Sequence, residues 1–462
     1  MADASRQAAL APRTAGFDPA RYETFRFLGF DFDRSKLTAS LRYGLDDEHE
    51  FTERVRFPGA EAPSGAAALD ELDRLLSLLH LVAGVSYYKA AAPPAISVES
   101  GAAIDPATSA FLERLYVDGL SEFAWTNGID LRERVRFAPN APRAAAPGAP
   151  PRLERRTAVP IGGGKDSIVA LAALRAAGEP LVAFSVGRAE PIVRTVAVAG
   201  VPHLVVEREL APELIELNAR GALNGHVPVT AVVSAIACAA APLYGFDAVA
   251  MANERSASEG NLRVDGVEVN HQWSKGIAFE RLFREQLARR APGLEWFSLL
   301  RPFGELAIAR AFAGLEGYHH AFTSCNAAFR RDPARRGSGW CGDCPKCRFV
   351  FLALAPWLGP ERLESIFGAN LLHDPGEVAG FAELMGVGGH KPFECVGEED
   401  ESAAAFRLIA DRPEWRDAVV VRHVRDAVLP GLGPAGDPAA ALRPSAEHCM
   451  PARYQAMARA FL

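Results

Sequence analysis

Residues 157–186 read as strand, glycine turn, helix and strand in succession: TAVPI, GGGKDS, IVALAALRAAG, then LVAFSV. The two apolar runs are too short for helices and are bounded by turn residues, whereas the longer run between them has the length of a helix. Such a unit lays its two strands side by side and parallel, because the helix carries the chain back to the starting edge. A parallel sheet needs cover on both faces, so one unit commits the chain to more strands and to two helical layers. The strand PHLVVER, the helical VTAVVSAIACAAAPLYG and the strand DAVAMANE continue the alternation. The expected fold class is α/β, a doubly wound parallel sheet.

A chain of 462 residues has room for two or three domains around that sheet. Between residues 22 and 58, FRFLGFDFD, LTASLRYGLD and HEFTERVRF alternate apolar and polar side chains with period two, which predicts an antiparallel meander. ALDELDRLLSLLHLVAGV and ATSAFLERLYVDGLSEFAW then place apolar residues at helical spacing, giving two amphipathic helices to cover one face. The resulting division is an N-terminal α+β domain over 1–150, an α/β domain with the glycine turn over 151–300 and a mainly helical, cysteine-containing region over 301–462. The Pro- and Ala-rich stretch 138–156 reads as the linker between the first two.

No apolar run reaches the roughly 20 residues that cross a bilayer, and the first 16 residues have no apolar core of an export signal. A cytoplasmic address and no membrane partner are expected. A formal charge of -7 argues against a large nucleic-acid surface, while Arg330, Arg331, Arg335 and Arg336 form a local basic cluster able to hold phosphates.

Glycines between a buried strand and a helix let backbone N–H groups approach phosphate oxygens, and the helix N-terminus adds partial positive charge. Gly162, Gly163 and Gly164 supply that approach. Lys165 neutralises phosphate charge, Asp166 orients Mg²⁺ or the loop, and the Ser167 hydroxyl caps the helix while bonding a phosphate oxygen. The spacing is not that of a Walker A loop, and no Gly-x-Gly-x-x-Gly stands at the first turn. The loop resembles that of the PP-loop ATP pyrophosphatases, Ser-Gly-Gly-x-Asp-Ser, with Gly162 in place of the leading Ser. That resemblance implies ATP as the bound nucleotide and cleavage between its α- and β-phosphates.

Residues 253–280, NERSASEGNLRVDGVEVNHQWSKGIAFE, follow the strand DAVAMA and are dense in polar side chains. They fall at the carboxyl end of a strand, where doubly wound folds bind ligands. Lys275 is a candidate to hold the α-phosphate, Glu254 to hold Mg²⁺ and His271 to transfer a proton near neutral pH. Asn253 and Arg255 are candidates for binding the nucleotide, and Arg255 with the Arg330–Arg336 cluster for binding an anionic substrate.

GGGKDS, followed by NERSAS and VNHQWSKGIAFE, resembles the ATP-dependent UDP-N-acetylmuramoyl-L-alanyl-L-glutamate epimerases of bacterial peptidoglycan synthesis. The resemblance implies conversion of a terminal L-glutamate to D-glutamate, with ATP cleaved to AMP and pyrophosphate. The chemistry explains the use of ATP. Deprotonating Cα beside a carboxylate builds a second negative charge, whereas an acyl-adenylate has neutralised the first.

Cys325, Cys341, Cys344 and Cys347 follow C-x15-C-x2-C-x2-C, a spacing that suits tetrahedral Zn²⁺, with an iron–sulfur cluster or four free thiols as the alternatives. The segment also resembles the zinc-binding tail of 7-cyano-7-deazaguanine synthases, another PP-loop family. Residues 386–402, GVGGHKPFECVGEEDES, gather His390, Lys391, Glu394 and Cys395 in one Gly-flanked loop that reads as a lid or substrate loop. Cys395 is a candidate proton-transfer group of the epimerisation, since cofactor-free amino-acid racemases use cysteine thiolates. Cys238, in an Ala-rich helix, reads as packing. Two rivals stay open: a PP-loop ligase or RNA- or base-modifying enzyme that adenylates a carbonyl, and a nucleotide sensor that turns nothing over. The partner expected under the leading reading is a small molecule, and the oligomeric state is open.

Overall fold

The structure is a computed structural model that describes residues 16–141, 153–264, 266–330, 337, 339–388 and 391–462. Its strands are β1 (Thr24–Asp33), β2 (Thr38–Leu45), β3 (His49–Arg56), β4 (Ala95–Val98), β5 (Thr157–Pro160), β6 (Leu181–Val186), β7 (His203–Glu209), β8 (Ala248–Met251), the small hairpin β9 (Leu262–Val264) and β10 (Val267–Val269), and β11 (Glu295–Ser298). Nine of them form one sheet in the order β11-β8-β5-β6-β7-β3-β2-β1-β4. The strands from β11 to β7 are mutually parallel. The chain runs outward from β5 through β6 to β7, then returns to add β8 and β11 on the opposite side of β5. The order therefore reverses between β5 and β8, and the loops leaving their carboxyl ends diverge around a crevice. One of those loops is GGGKDS and the other opens residues 253–280.

The N-terminal meander is present, but its sheet is continuous with the parallel half instead of standing apart. β3 pairs antiparallel with β7, Arg54 opposite Glu209 and Arg56 opposite Glu207. Joining the two removes an unpaired edge from each, and unpaired edges are a liability in any sheet. The seam carries its own lock. Arg208 donates to both oxygens of the fully buried Glu53, at 2.7 and 3.0 Å, and to Ser86 Oγ at 3.1 Å.

Alternation along the short parallel strands assigns their side chains to two cores. Ala158, Val182, Phe184, Val249 and Trp296 face one core, with the helices Ala66–Ala83, Val229–Tyr244 and Ile277–Arg290. Val159, Ala183, Ala248, Ala250 and Phe297 face the other, with Lys165–Ala176, Glu305–Ala313 and Pro345–Leu354. The N-terminal helix Ala66–Ala83 thus joins two helices of the parallel half on one face of the sheet, and the C-terminal region joins Lys165–Ala176 on the other. Even the last helix, Ala452–Phe461, docks on the sheet: Tyr454 Oη lies 2.8 Å from Thr157 Oγ1 and its ring 4.3 Å from that of Phe297. Among the described residues, no helix is long and apolar enough to cross a membrane.

Candidate active site

The loop after β5 turns on Gly163, whose φ of +86° disfavours any L side chain. A Cβ there would also meet Pro191 Cβ at 2.9 Å. Gly164 N-caps the helix Lys165–Ala176, and no side chain satisfies the first turn, so its N–H groups stay available to an anion. Ser167 Oγ donates to the Gly164 carbonyl at 3.1 Å, bracing the turn. The Gly163 carbonyl accepts from Thr323 N at 2.9 Å, which ties the loop to the chain just before Cys325.

Lys165 is 4% exposed and its ammonium bonds Asp166 and Glu305. Burial pulls its pKa down, but Asp166 and Glu305 outweigh that and hold the ammonium protonated. Glu305 opens the helix that follows β11, and the carboxylates of Asp166, Glu254 and Glu305 come within 4.8 Å of one another. Burial raises Glu305 well above the ordinary carboxyl value; Lys165 offsets part of this, and Asp166, Glu254 and Glu401 add to it. Three carboxyl groups converge beside the Lys165 ammonium, and oxygen donors of this kind suit Mg²⁺. Asn253, also buried and two residues beyond β8, carries an amide Nδ2 with no partner among the described residues. An orphaned buried donor beside the crevice is a ready ligand contact.

A second cluster adjoins the first. Lys275 Nζ lies 3.3 Å from Cys395 Sγ and 3.3 Å from Gln272 Oε1. Its pKa is raised: burial lowers it, and the charges of Cys395, Glu254 and Asp166 more than compensate. Lys275 therefore feels both the carboxylate cluster and the thiol. His271 bonds Glu122 through Nδ1, faces Cys395, and packs its ring 4.1 Å from that of His226. Burial lowers the His271 pKa, but Cys395 and Glu122 carry it up to about 9. Burial, with the charges of His271 and Lys275, pushes His226 down to about 3, so that ring is neutral. Burial works against the Cys395 thiolate, yet Lys275 and His271, with a further contribution from the charge of Lys346, bring its pKa to about 6. At neutral pH the arrangement is a thiolate held between an ammonium and an imidazolium.

A buried scaffold joins the two clusters. Arg301, 2% exposed, donates to Glu280 Oε2 at 3.0 Å and to the carbonyls of Glu254 and Lys275. Glu280 Oε1 accepts from Ser298 N at 3.1 Å, anchoring the pair to β11. The Arg255 guanidinium bonds Glu398 at 3.2 and 3.4 Å and the Arg443 carbonyl at 3.2 Å, beside Gly304 and so next to Glu305. It fastens the end of the 386–402 segment, whose last residues, from Glu399 on, are the start of the helix Glu399–Ile409 and not loop. The loop before that helix is fastened along its described length: Lys391 to Glu259 at 2.9 Å, the Pro392 carbonyl to Asn261 at 2.7 Å, and the Phe393 ring 5.0 Å from Trp125. His390, Arg331, Arg335 and Arg336 lie outside the described residues, and Arg330 is exposed.

Cys325, Cys341, Cys344 and Cys347 converge, with Sγ separations of 3.9 Å for Cys325–Cys344, 3.7 Å for Cys341–Cys347 and 3.4 Å for Cys344–Cys347. Four thiolates at the Zn–S distance sit about 3.8 Å apart in a tetrahedron, so the set fits that ion. Cys238 is fully buried, as expected of packing.

Glu122, His226, Arg301 and Glu305 lie outside the site motifs singled out in the sequence, and Glu280, the last residue of the 253–280 segment, carries no role in that reading. For Glu305 a signal exists, because FGELA after β11 repeats the glycine-to-acidic-helix turn of GGGKDS. The others sit in segments whose local pattern is an ordinary helix or loop.

Two family models match this chain. Residues 16–299 match the MurL N-terminal domain and residues 321–435 the MurL C-terminal domain. A protein of Xanthomonas oryzae pv. oryzae (strain MAFF 311018), named UDP-N-acetyl-alpha-D-muramoyl-L-alanyl-L-glutamate epimerase, is 47% identical over 422 residues, covering 91% of this chain and 93% of the relative. Relatives of the same name from Micromonospora sp. (strain ATCC 39149 / NRRL 15099 / SCC 1413) and Salinispora tropica (strain ATCC BAA-916 / DSM 44818 / JCM 13857 / NBRC 105044 / CNB-440) are 45% and 44% identical, each over 94% of this chain and over 97% and 95% of their own lengths. With both halves matched and the likeness running nearly end to end, the chain belongs to the MurL family.

Proposed function

We propose that this protein is an epimerase, an isomerase that inverts the terminal L-glutamate of UDP-N-acetylmuramoyl-L-alanyl-L-glutamate to D-glutamate for peptidoglycan synthesis, using ATP to activate the carboxylate. The observation that carries the mechanism is the contact of Lys275 with the Cys395 thiol while the same ammonium feels Asp166 and Glu254. One cation thus spans a nucleotide-type loop and a proton-transfer group.

In this reading the glycine loop and Lys165 hold the β- and γ-phosphates, as in the PP-loop enzymes, and Lys275 and Asn253 meet the α-phosphate. Asp166, Glu254 and Glu305 would hold Mg²⁺, which when bound neutralises phosphate charge. The substrate's α-carboxylate oxygen attacks the α-phosphorus, and the bond to pyrophosphate breaks. Cys395 thiolate then takes the Cα proton, leaving the electron pair in an enolate that the adenylate stabilises. Cys395 and His271 face each other, so they serve one side of the substrate as base and activator. The proton that inverts the centre arrives on the other side. Water finally attacks the acyl carbon, AMP leaves, and the hydrolysis drives the reaction past an even mixture. Cys325, Cys341, Cys344 and Cys347 would hold a structural Zn²⁺.

The test is incubation of purified protein with ATP, Mg²⁺ and the UDP-linked dipeptide in D₂O. AMP, pyrophosphate and D-glutamate bearing Cα deuterium are expected. AMP formation without inversion on this substrate, or no ATP cleavage at all, overturns the reading.

A further inference from the structure

The fourfold cysteine knot lies within reach of the thiol loop, and its two polar neighbours grip that loop. Asn326, next to Cys325, donates from Nδ2 to both Glu394 oxygens, at 2.7 and 2.9 Å. Lys346, between Cys344 and Cys347, donates to Asn326 Oδ1 at 2.8 Å and stands 3.4 Å from Glu394. The three side chains close a triangle in which each bonds the other two. Glu394 immediately precedes Cys395, and the backbone there is wound tight: Glu394 N bonds the Pro392 carbonyl at 2.8 Å and Val396 N bonds the Glu394 carbonyl at 2.9 Å. Two successive three-residue turns leave no slack between the gripped carboxylate and the thiol.

On its other side the loop meets the segment that carries His271. Asn261 donates to the Pro392 carbonyl at 2.7 Å and accepts from His271 N at 2.8 Å. The thiol is thus suspended between an Asn from the knot and an Asn from the histidine loop. The knot is itself fixed, because Cys344 caps the helix Pro345–Leu354, whose Phe349, Phe351 and Leu352 are buried in the core.

We infer that the cysteine knot serves the reaction as the seat of the thiol loop, with Asn326, Lys346 and Glu394 as positioning residues that hold Cys395 against Lys275 and His271. The inference rests on the proposed role of Cys395 as the base. A structural metal at the knot would then act at a distance on proton transfer, by fixing where Asn326 and Lys346 stand.

The test follows the reactivity of Cys395 itself. Iodoacetamide alkylation across a pH series, read by mass spectrometry on the Cys395 peptide, reports the thiolate fraction independently of turnover. In Asn326→Ala and Glu394→Ala the alkylation midpoint should rise by about one pH unit, and kcat measured at a pH below both midpoints should fall roughly tenfold, since one unit is a tenfold change in thiolate there. KM for ATP and the metal content of the protein should stay at wild-type values. Glu394→Gln keeps one of the two bonds from Asn326 and loses the other with the charge facing Lys346, so it should restore part of the loss; it also serves if an alanine variant does not fold. Unchanged alkylation profiles and kcat in the folded Asn326 and Glu394 variants overturn the inference. If Cys395→Ala still epimerises, the proposed base is wrong and the positioning role falls with it. If Cys395→Ala is inactive while the clamp variants behave as wild type, only the positioning role falls.

Discussion

The glycine loop and the thiol cluster adjoin each other and are built in opposite ways. The loop is local: six consecutive residues, 162–167, supply the turn, the open N–H groups, the cation and one acid, and the sheet adds only a place at the reversal of strand order. The thiol cluster is assembled from four distant segments carrying Glu122, His226, His271 with Lys275, and Cys395. A local site is held by backbone geometry, so its weak points are glycines. An assembled site is held by charge pairs between side chains, so its weak points are pKa values and the contacts that set them. The two should fail differently when altered.

The largest separation is expected from Cys395→Ala. Removing a proton-transfer group costs on the order of 10³-fold in the step it serves. Epimerisation should therefore collapse by about that factor while substrate-dependent AMP and pyrophosphate formation continues, because the glycine loop is untouched. The measurement is AMP release alongside glutamate configuration in one reaction. Loss of both products together would mean that the two clusters do not divide the chemistry.

Gly163→Ala strikes the other half. The positive φ and the 2.9 Å approach to Pro191 mean that a methyl group forces the loop away from its seat. Strain of this kind costs about 1–3 kcal/mol, so pyrophosphate release should fall roughly 10- to 100-fold. The alkylation profile of Cys395 should not move, which a thiol cluster independent of the loop requires.

This contrast also explains what was legible in the sequence. The GGGKDS turn, the cysteine spacing and the parallel strands are patterns of neighbours, and period and composition reveal neighbours. Glu122 lies in an amphipathic helix that looks like sheet cover, and His226 in a polar connection before an apolar helix; nothing adjacent marks either as a partner of His271. The continuity of the sheet is equally hidden, since β3 and β7 pair across some 150 residues, and no local period encodes which edges will meet. Arg255 reads as an anion ligand by type and place, but its partner Glu398 sits far along the chain and only tertiary packing brings it there.

Acid–base behaviour tests the assembled half on a finer scale. Turnover needs Cys395 deprotonated, with a pKa of about 6, and His271 protonated, with a pKa of about 9. The pH profile of kcat/KM should rise through the first value and fall through the second. Glu122→Gln removes a charge that raises His271, so the alkaline limb should move toward lower pH. Around pH 6 His271 stays protonated in both proteins, so the acid limb, set by Cys395, should stay in place. The plateau narrows from the alkaline side alone, by about one unit. A glycine-loop substitution that narrowed it equally would erase the distinction between the two clusters.

The smallest effect is expected at Gly162, and it sharpens what the loop requires. Nothing lies within 4 Å of a Cβ built at this position, and its φ lies outside the range that favours glycine. A side chain therefore fits without moving backbone, in contrast to Gly163 one residue on. Gly162→Ser supplies the leading hydroxyl that the proposed nucleotide-loop reading would place there, at a site with space for it, so stability should change by no more than about 0.5 kcal/mol and KM for ATP by no more than about twofold. An unchanged enzyme would show that the backbone cradle suffices without that hydroxyl. A clear fall in KM would show that the hydroxyl still finds a phosphate in this chain, and that the loop has given up a contact its geometry can accept.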